Sequence, residues 1–260
     1  MEIKLDGRVA VITGGSKGLG LAMAMRFAAS GADVTILARG QAGLDAALPE
    51  IAKAAKGRVL AVACDVSKAA DIQHAYDAVM GRFGKIDIVV NNAGQSRTGA
   101  FETVTDEVWQ EDLDLKLFAA IRLTRLAWRQ MRERKWGRVI NVLNIGAKTP
   151  RAGSAPTTIS RAAGMALTKV LAGEGAADNV LVNAMLVGVI VSDQIKRRHA
   201  ARSGNVTLEE QIAEAGKPVP MGRMGTPEEF ANLACFLVSD QGGYITGTAI
   251  NVDGGMSPVV

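Results

Sequence analysis

Short apolar runs alternate with longer amphipathic stretches along the whole chain. Val9–Ile12, Asp33–Leu37, Val59–Cys64, Ile86–Asn91, Gly137–Leu143, Val180–Leu186 and Ala249–Val252 read as strands. Stretches with apolar residues at helical spacing start near Leu19, Gln41, Ala69, Asp106, Ser160 and Pro227. Strands that alternate with helices at this spacing specify an α/β fold with helices on both faces of a mainly parallel sheet. Right-handed crossovers then leave few arrangements besides a doubly wound, Rossmann-type sheet of seven strands. One excursion interrupts the rhythm, from Ser192 to about Gly225. It is polar and basic at first, then carries Pro218 and Pro220. An insertion after the C-terminal end of the sixth strand overhangs the crevice where doubly wound folds bind ligands, so it reads either as a substrate lid or as a plain surface loop.

A chain of 260 residues with 48% hydrophobic content can bury one large core, and nothing in it marks a second domain, so residues 1–260 read as a single dinucleotide-binding domain with a lid at about 192–225. Cys64 and Cys235 stand far apart, which fits a reducing compartment better than a disulfide framework. The longest apolar run, Val180 to Val191, contains Asn183 and is too short for the roughly 20 apolar residues of a membrane helix. The expectation is a cytoplasmic protein without a membrane partner. The formal charge is only +4, and much of it comes from Arg122, Arg125, Arg129, Arg132, Arg134 and Lys135, a solvated helix face by spacing. Nucleic-acid binding would want aromatic interleaving or a reader module, and neither is present. No metal-ligand spacing stands out either.

The chemistry-bearing motifs sit at strand ends. Thr13-Gly14-Gly15-Ser16-Lys17-Gly18-Leu19-Gly20 follows the first strand and opens the first helix. Glycines there let the backbone turn tightly and approach a pyrophosphate, which rests on the helix N-terminal amides. Asn91-Asn92-Ala93-Gly94 ends the fourth strand and Cys64-Asp65-Val66 the third. Small residues at these ends leave room for an adenosine, and Asp65 can accept from its amino group; taken singly, either motif could be ordinary turn chemistry.

With these motifs the chain resembles a short-chain dehydrogenase/reductase of the single-domain type over nearly its whole length. The likeness extends through Gly137-Arg138-Val139-Ile140-Asn141, Val182-Asn183-Ala184, Met221-Gly222-Arg223-Met224-Gly225-Thr226-Pro227-Glu228-Glu229, Ile245-Thr246-Gly247 and Val252-Asp253-Gly254-Gly255. It implies a nicotinamide dinucleotide held by Gly14, Ser16, Lys17, Gly18, Leu19, Gly20, Arg39, Asp65, Val66, Asn92, Ala93, Gly94, Arg161, Gly188, Ile190 and Ser192. It also implies a homotetramer, with the segment Asp106 to Met131 and the helix near Ser160 at the interfaces.

The same resemblance places the family's catalytic Asn, Ser, Tyr and Lys on Lys116, Asn144, Thr157 and Arg161, so all four depart from the family pattern. The threonine alcohol is too weakly acidic for tyrosine's proton transfer near neutral pH. Arg161 can orient the nicotinamide ribose but will not shed a proton. Lys116 reads either as the replacement proton donor, tuned by burial and by Arg161, or as a structural cation in the asparagine's place. Asn144 would position the substrate oxygen and Thr157 would add a weak hydrogen bond. Cofactor choice follows from charge: NAD-selective members carry an acid after the second strand, whereas Arg39 and Lys17 here favour the 2′-phosphate of NADP(H), with NAD(H) second. Lys196, Arg197, Arg198, His199 and Arg202 open the excursion, and a cluster of one sign there suits an anionic small-molecule substrate or simply water. The expected function is a hydride exchange between the nicotinamide and a carbonyl or alcohol at an altered site. The rival is a dinucleotide-binding sensor or scaffold that has lost catalysis.

Overall fold

Seven strands, β1 (Val9–Thr13), β2 (Asp33–Ala38), β3 (Val59–Ala63), β4 (Ile88–Asn91), β6 (Gly137–Asn144), β8 (Val180–Val187) and β9 (Ala249–Val252), form one sheet in the order β3-β2-β1-β4-β6-β8-β9. The computed structural model describes residues 2–192 and 207–260. Every pairing in this sheet is parallel. The central strands are buried on both faces, which is why β1 reads as a near-continuous apolar run and β8 as one interrupted only by Asn183, rather than as alternating patterns. The order reverses between β1 and β4, and that switch point places the crevice above the C-terminal ends of those two strands.

Helices α1 (Gly18–Ala29) and α2 (Gln41–Ala54) and the helix Pro227–Val238 cover one face; α3 (Ala69–Phe83), α5 (Ala119–Glu133) and α6 (Thr157–Gly175) cover the other. Phe27 and Met23 of α1 meet Phe230, Ala234 and Cys235 over Ile12 and Ile36. On the opposite face Ile72 and Val79 of α3 join Leu123 and Ala127 of α5 against Val9, Val11 and Val139. The helix Pro227–Val238 starts at a capping box, with Thr226 and Glu229 satisfying each other's backbone amides and Pro227 needing none.

Four features go beyond the sequence pattern. The stretch from Asp106 is not one helix: α4 (Asp106–Leu113) passes through a wide π-turn, Asp114–Phe118, before α5 begins. α6 starts at Thr157, three residues before the expected Ser160, with its first turn fastened by the Thr158 N–H donating to the Ser154 carbonyl at 3.1 Å. A two-stranded antiparallel patch joins β5 (Thr98–Gly99) to β7 (Ala155–Pro156). Finally, part of the excursion after β8 forms a capped helix, Leu208–Gly216. Its base is pinned by hydrogen bonds from Val191 N–H to Gly225 and from Gly225 N–H to Val189.

Candidate active site

The glycine turn is built to leave space. Gly14 and Gly18 have positive φ of 65° and 52°, where side chains are strained, and a Cβ on Gly18 would project into open space. Gly20 is needed for a different reason, since its Cβ would fall 2.2 Å from the Gly14 carbonyl oxygen. The turn is fastened from below. Thr13 Oγ1 accepts from the amides of Asn92 and Ala93, both at 2.9 Å, and Asn92 Nδ2 donates to the Thr13 carbonyl at 2.9 Å. α1 opens with neither an acidic residue nor a side-chain cap in its first turn. Its first amides therefore remain available to an anion.

Two hollows flank this turn. The first, about 710 Å³, is walled by Gly14, Ser16, Lys17, Arg39, Cys64, Val66 and Gly94 among others. The second, about 470 Å³, runs from Gly14 and Leu19 past Asn92, Ala93, Asn144, Thr157 and Arg161 to Gly188, Ile190 and Ser192. Together they bring the expected cofactor residues to one crevice, with three exceptions. Gly18 lines a neighbouring hollow with Ser16 and Lys17, and Gly20 serves packing rather than the wall. Asp65 faces an adjoining hollow with Arg39 and Arg97. Burial alone would raise its carboxyl, but Ser67, whose hydroxyl donates to it at 2.8 Å, and nearby Arg39 and Lys68 hold it below its ordinary range. Lys17 and Arg39 are exposed and ion-paired to no described residue. The positive-φ cradle, the open helix terminus and the two unpaired cations fit a phosphorylated dinucleotide.

At the other end the side chains are already engaged. Thr157 is buried, and its hydroxyl accepts from the Lys116 ammonium at 2.9 Å and from Arg97 N–H at 2.9 Å, while donating to the Arg97 carbonyl. One donor and two acceptor positions are all a hydroxyl has, so Thr157 has none left for a substrate oxygen. Lys116 stands behind Thr157 rather than on the crevice wall, with its side chain 1% exposed and ion-paired to Asp112. Asp112 also accepts from the Ser160 hydroxyl at 2.6 Å. Burial pushes the Lys116 ammonium below its ordinary pKa, and the charges of Arg161 and Arg97 push the same way against the pull of Asp112.

Arg161 lies on the wall, donating Nη1–H to the Val142 carbonyl at 2.6 Å. Burial lowers its pKa to about 10, still well above neutrality. Asn144 also lines the crevice, and its Oδ1 is buried without a hydrogen-bond partner. Neither tyrosine of the chain is near: Tyr76 packs on α3 beside Gln130, and Tyr244 is fully exposed. Arg197, Arg198 and His199 lie outside the described residues. The residues missed by sequence reasoning are Asp112 and Ser160. An acidic residue four positions before a lysine on one helix was the available signal for Asp112; Ser160 offered none.

Comparison with known proteins agrees with this geometry. Residues 14–257 match the family model described as enoyl-(acyl carrier protein) reductase. The chain is 34% identical over 257 residues to a 3-oxoacyl-[acyl-carrier-protein] reductase of Aquifex aeolicus, covering 98% of this chain and all of that one. It is 34% identical over 248 residues to an acetoacetyl-CoA reductase of Shinella zoogloeoides, covering 95% and 98% of the two chains. Among solved structures, L-sorbose reductase of Gluconobacter frateurii, complexed with NADPH and L-sorbose, superposes with a TM-score of 0.94 at 35% identity, with both chains fully covered.

Proposed function

This chain belongs to the short-chain dehydrogenase/reductase family, and we propose that it is an NADP-preferring oxidoreductase with an altered active site, acting on a carbonyl or alcohol. The observation that carries this reading is the crevice itself: a glycine cradle flanked by Lys17 and Arg39, opening onto Asn144 and Arg161. A phosphate on the adenosine ribose would meet two cations and no competing acid after β2. The relatives named as reductases of 3-oxoacyl and acetoacetyl thioesters, and the neighbour complexed with NADPH, support the same class.

When bound, the nicotinamide would supply or accept the hydride. The protein's own task is to hold the substrate oxygen and stabilise the negative charge that develops on it. Asn144, on the crevice wall, would donate from its amide group. Arg161, and the buried Lys116 behind Thr157, would supply a positive field there, which a partly buried setting makes stronger than in water. Thr157 works as a clamp that ties Lys116 to the Arg97 backbone and so fixes the crevice wall. Lys116 is then a positioning and field residue, and the proton comes from water in the crevice.

A second reading keeps the cofactor and drops the chemistry. It is favoured by the saturated Thr157 hydroxyl and by the absence of a tyrosine from the crevice, which suit a dinucleotide-binding sensor or scaffold. The deciding experiment follows NADPH absorbance with a broad panel of aldehydes, ketones and oxo acids while NADPH and NADH binding are titrated by calorimetry. Tight NADPH binding with no turnover anywhere would favour the second reading, and equal affinity for the two cofactors would remove the NADP preference.

We also propose a cytoplasmic homotetramer assembled through α5 and α6, for which the exposed apolar Phe118, Ile159 and Val170 supply contacts. No described helix is long and apolar enough to cross a membrane. Light scattering at micromolar concentration tests the assembly, and a monomeric mass would refute it.

A further inference from the structure

The charges at the reaction end of the crevice do not balance. Lys116 is buried and Arg161 is half-buried on the crevice wall, and one carboxylate, Asp112, serves them. Asp112 spends its oxygens on Lys116 and Ser160, and reaches Arg161 only through space. Arg161 has no described carboxylate within ion-pair distance, and of its five N–H donors one has a described partner, the Val142 carbonyl.

Its position is built rather than accidental. The guanidinium lies against Gly94, where a Cβ would come within 2.3 Å of Nη2, so that glycine makes the room. The crevice it lines contains two cations, Lys17 and Arg161, and no acidic residue among its described walls. Lys17 stands at the glycine turn, where the 2′-phosphate of the dinucleotide would neutralise it. A neutral ribose would leave Arg161 charged. A partly buried cation without a counter-charge costs stability, and such sites persist where a ligand supplies the missing charge.

We infer that Arg161 binds a carboxylate of the substrate, making the substrate a short oxo acid with its carbonyl against Asn144 and its carboxylate on the guanidinium. This deepens the proposed function and rests on its placement of a carbonyl compound in this crevice. The planar fork of an arginine suits a carboxylate in two-point contact, which a lysine at this position could not offer.

The test has a binding arm and a turnover arm. Wild-type protein saturated with NADP⁺ is titrated with malonate by calorimetry, and NADPH affinity is measured in parallel for every variant. Malonate should bind, weaken by about tenfold or more in Arg161→Gln, and recover in part in Arg161→Lys. Failure of malonate to bind wild type, or equal binding to Arg161→Gln, overturns the inference. Where Arg161→Gln does not fold, salt decides on wild type: affinity must fall between about 0.05 and 0.5 M NaCl, and a flat response overturns it. If NADPH itself does not bind, the proposed function fails, while malonate titration of the unloaded protein still judges Arg161. In the turnover arm, pyruvate, acetoacetate and levulinate are each compared with their methyl esters. A higher kcat/KM for at least one acid supports the inference. Reduction of the esters with no acid preferred overturns it and leaves the reductase standing.

Discussion

The two ends of the crevice solve their problems with different parts of the chain. At the glycine turn the cradle is made of backbone amides and the room that glycines leave, with the exposed side chains of Lys17 and Arg39 at its rim. At the reaction end the space is filled by side chains already bonded to one another: Thr157 to Lys116 and Arg97, Lys116 to Asp112, Asp112 to Ser160. A site made of backbone changes only if the fold changes. A site made of side chains can be rebuilt on an unaltered fold, and the departures that the sequence reading expects at positions 116, 144, 157 and 161 would fall wholly at that end.

The largest effect expected from breaking this contrast lies at the reaction end. Asp112→Ala strands a buried ammonium and should cost about 3–5 kcal/mol in denaturant unfolding. Asp112→Leu combined with Lys116→Met should recover much of that loss, because the pair is removed together. NADPH affinity should stay nearly unchanged in both folded variants. A loss of cofactor binding would mean that the two ends are not separable.

Next in size is the cofactor end. Arg39→Ala should weaken NADPH by roughly tenfold or more and leave NADH almost untouched, since charge-assisted contacts are confined to the 2′-phosphate. Parallel titrations with the two cofactors would expose an equal loss, which would make Arg39 merely structural. Gly20→Ala forces a Cβ against the Gly14 carbonyl and should cost about 1–3 kcal/mol of stability together with NADPH affinity. Cofactor binding unchanged in that variant would show that the turn can shift without consequence.

The pH dependence of turnover sharpens the comparison further. The Lys116 ammonium is held below its ordinary pKa chiefly by burial. The field it supplies is therefore complete at low pH and lost as pH rises through that lowered value. On a confirmed reduction, kcat/KM should decline with rising pH before an ordinary lysine would titrate, and the decline should vanish in Lys116→Met. A profile identical in wild type and variant would remove Lys116 from the chemistry. The smallest effect concerns neither end: Thr226→Ala deletes a helix cap and should cost about 1 kcal/mol of stability with cofactor affinity unchanged.

By itself the sequence determined the fold and gathered the residues expected at the cofactor end. Strands of a parallel sheet covered on both faces are mostly apolar, so all seven were legible to within about two residues, and a strand–glycine turn–helix succession leaves open backbone amides suited to an anion. Local rules of this kind act between neighbours in the chain. The reaction end depends on contacts between residues far apart, such as Lys116 with Thr157 and Ser160 with Asp112, which no local periodicity reports. The π-turn at Asp114–Phe118 was hidden for the same reason, because a single widened turn leaves the spacing of apolar residues in α4 and α5 helical. Whether Thr157 faced a substrate or was spent on its neighbours was likewise a tertiary matter. Its identity set how many hydrogen bonds it could make, and the packing of α6 against the Arg97 loop and the π-turn decided with whom.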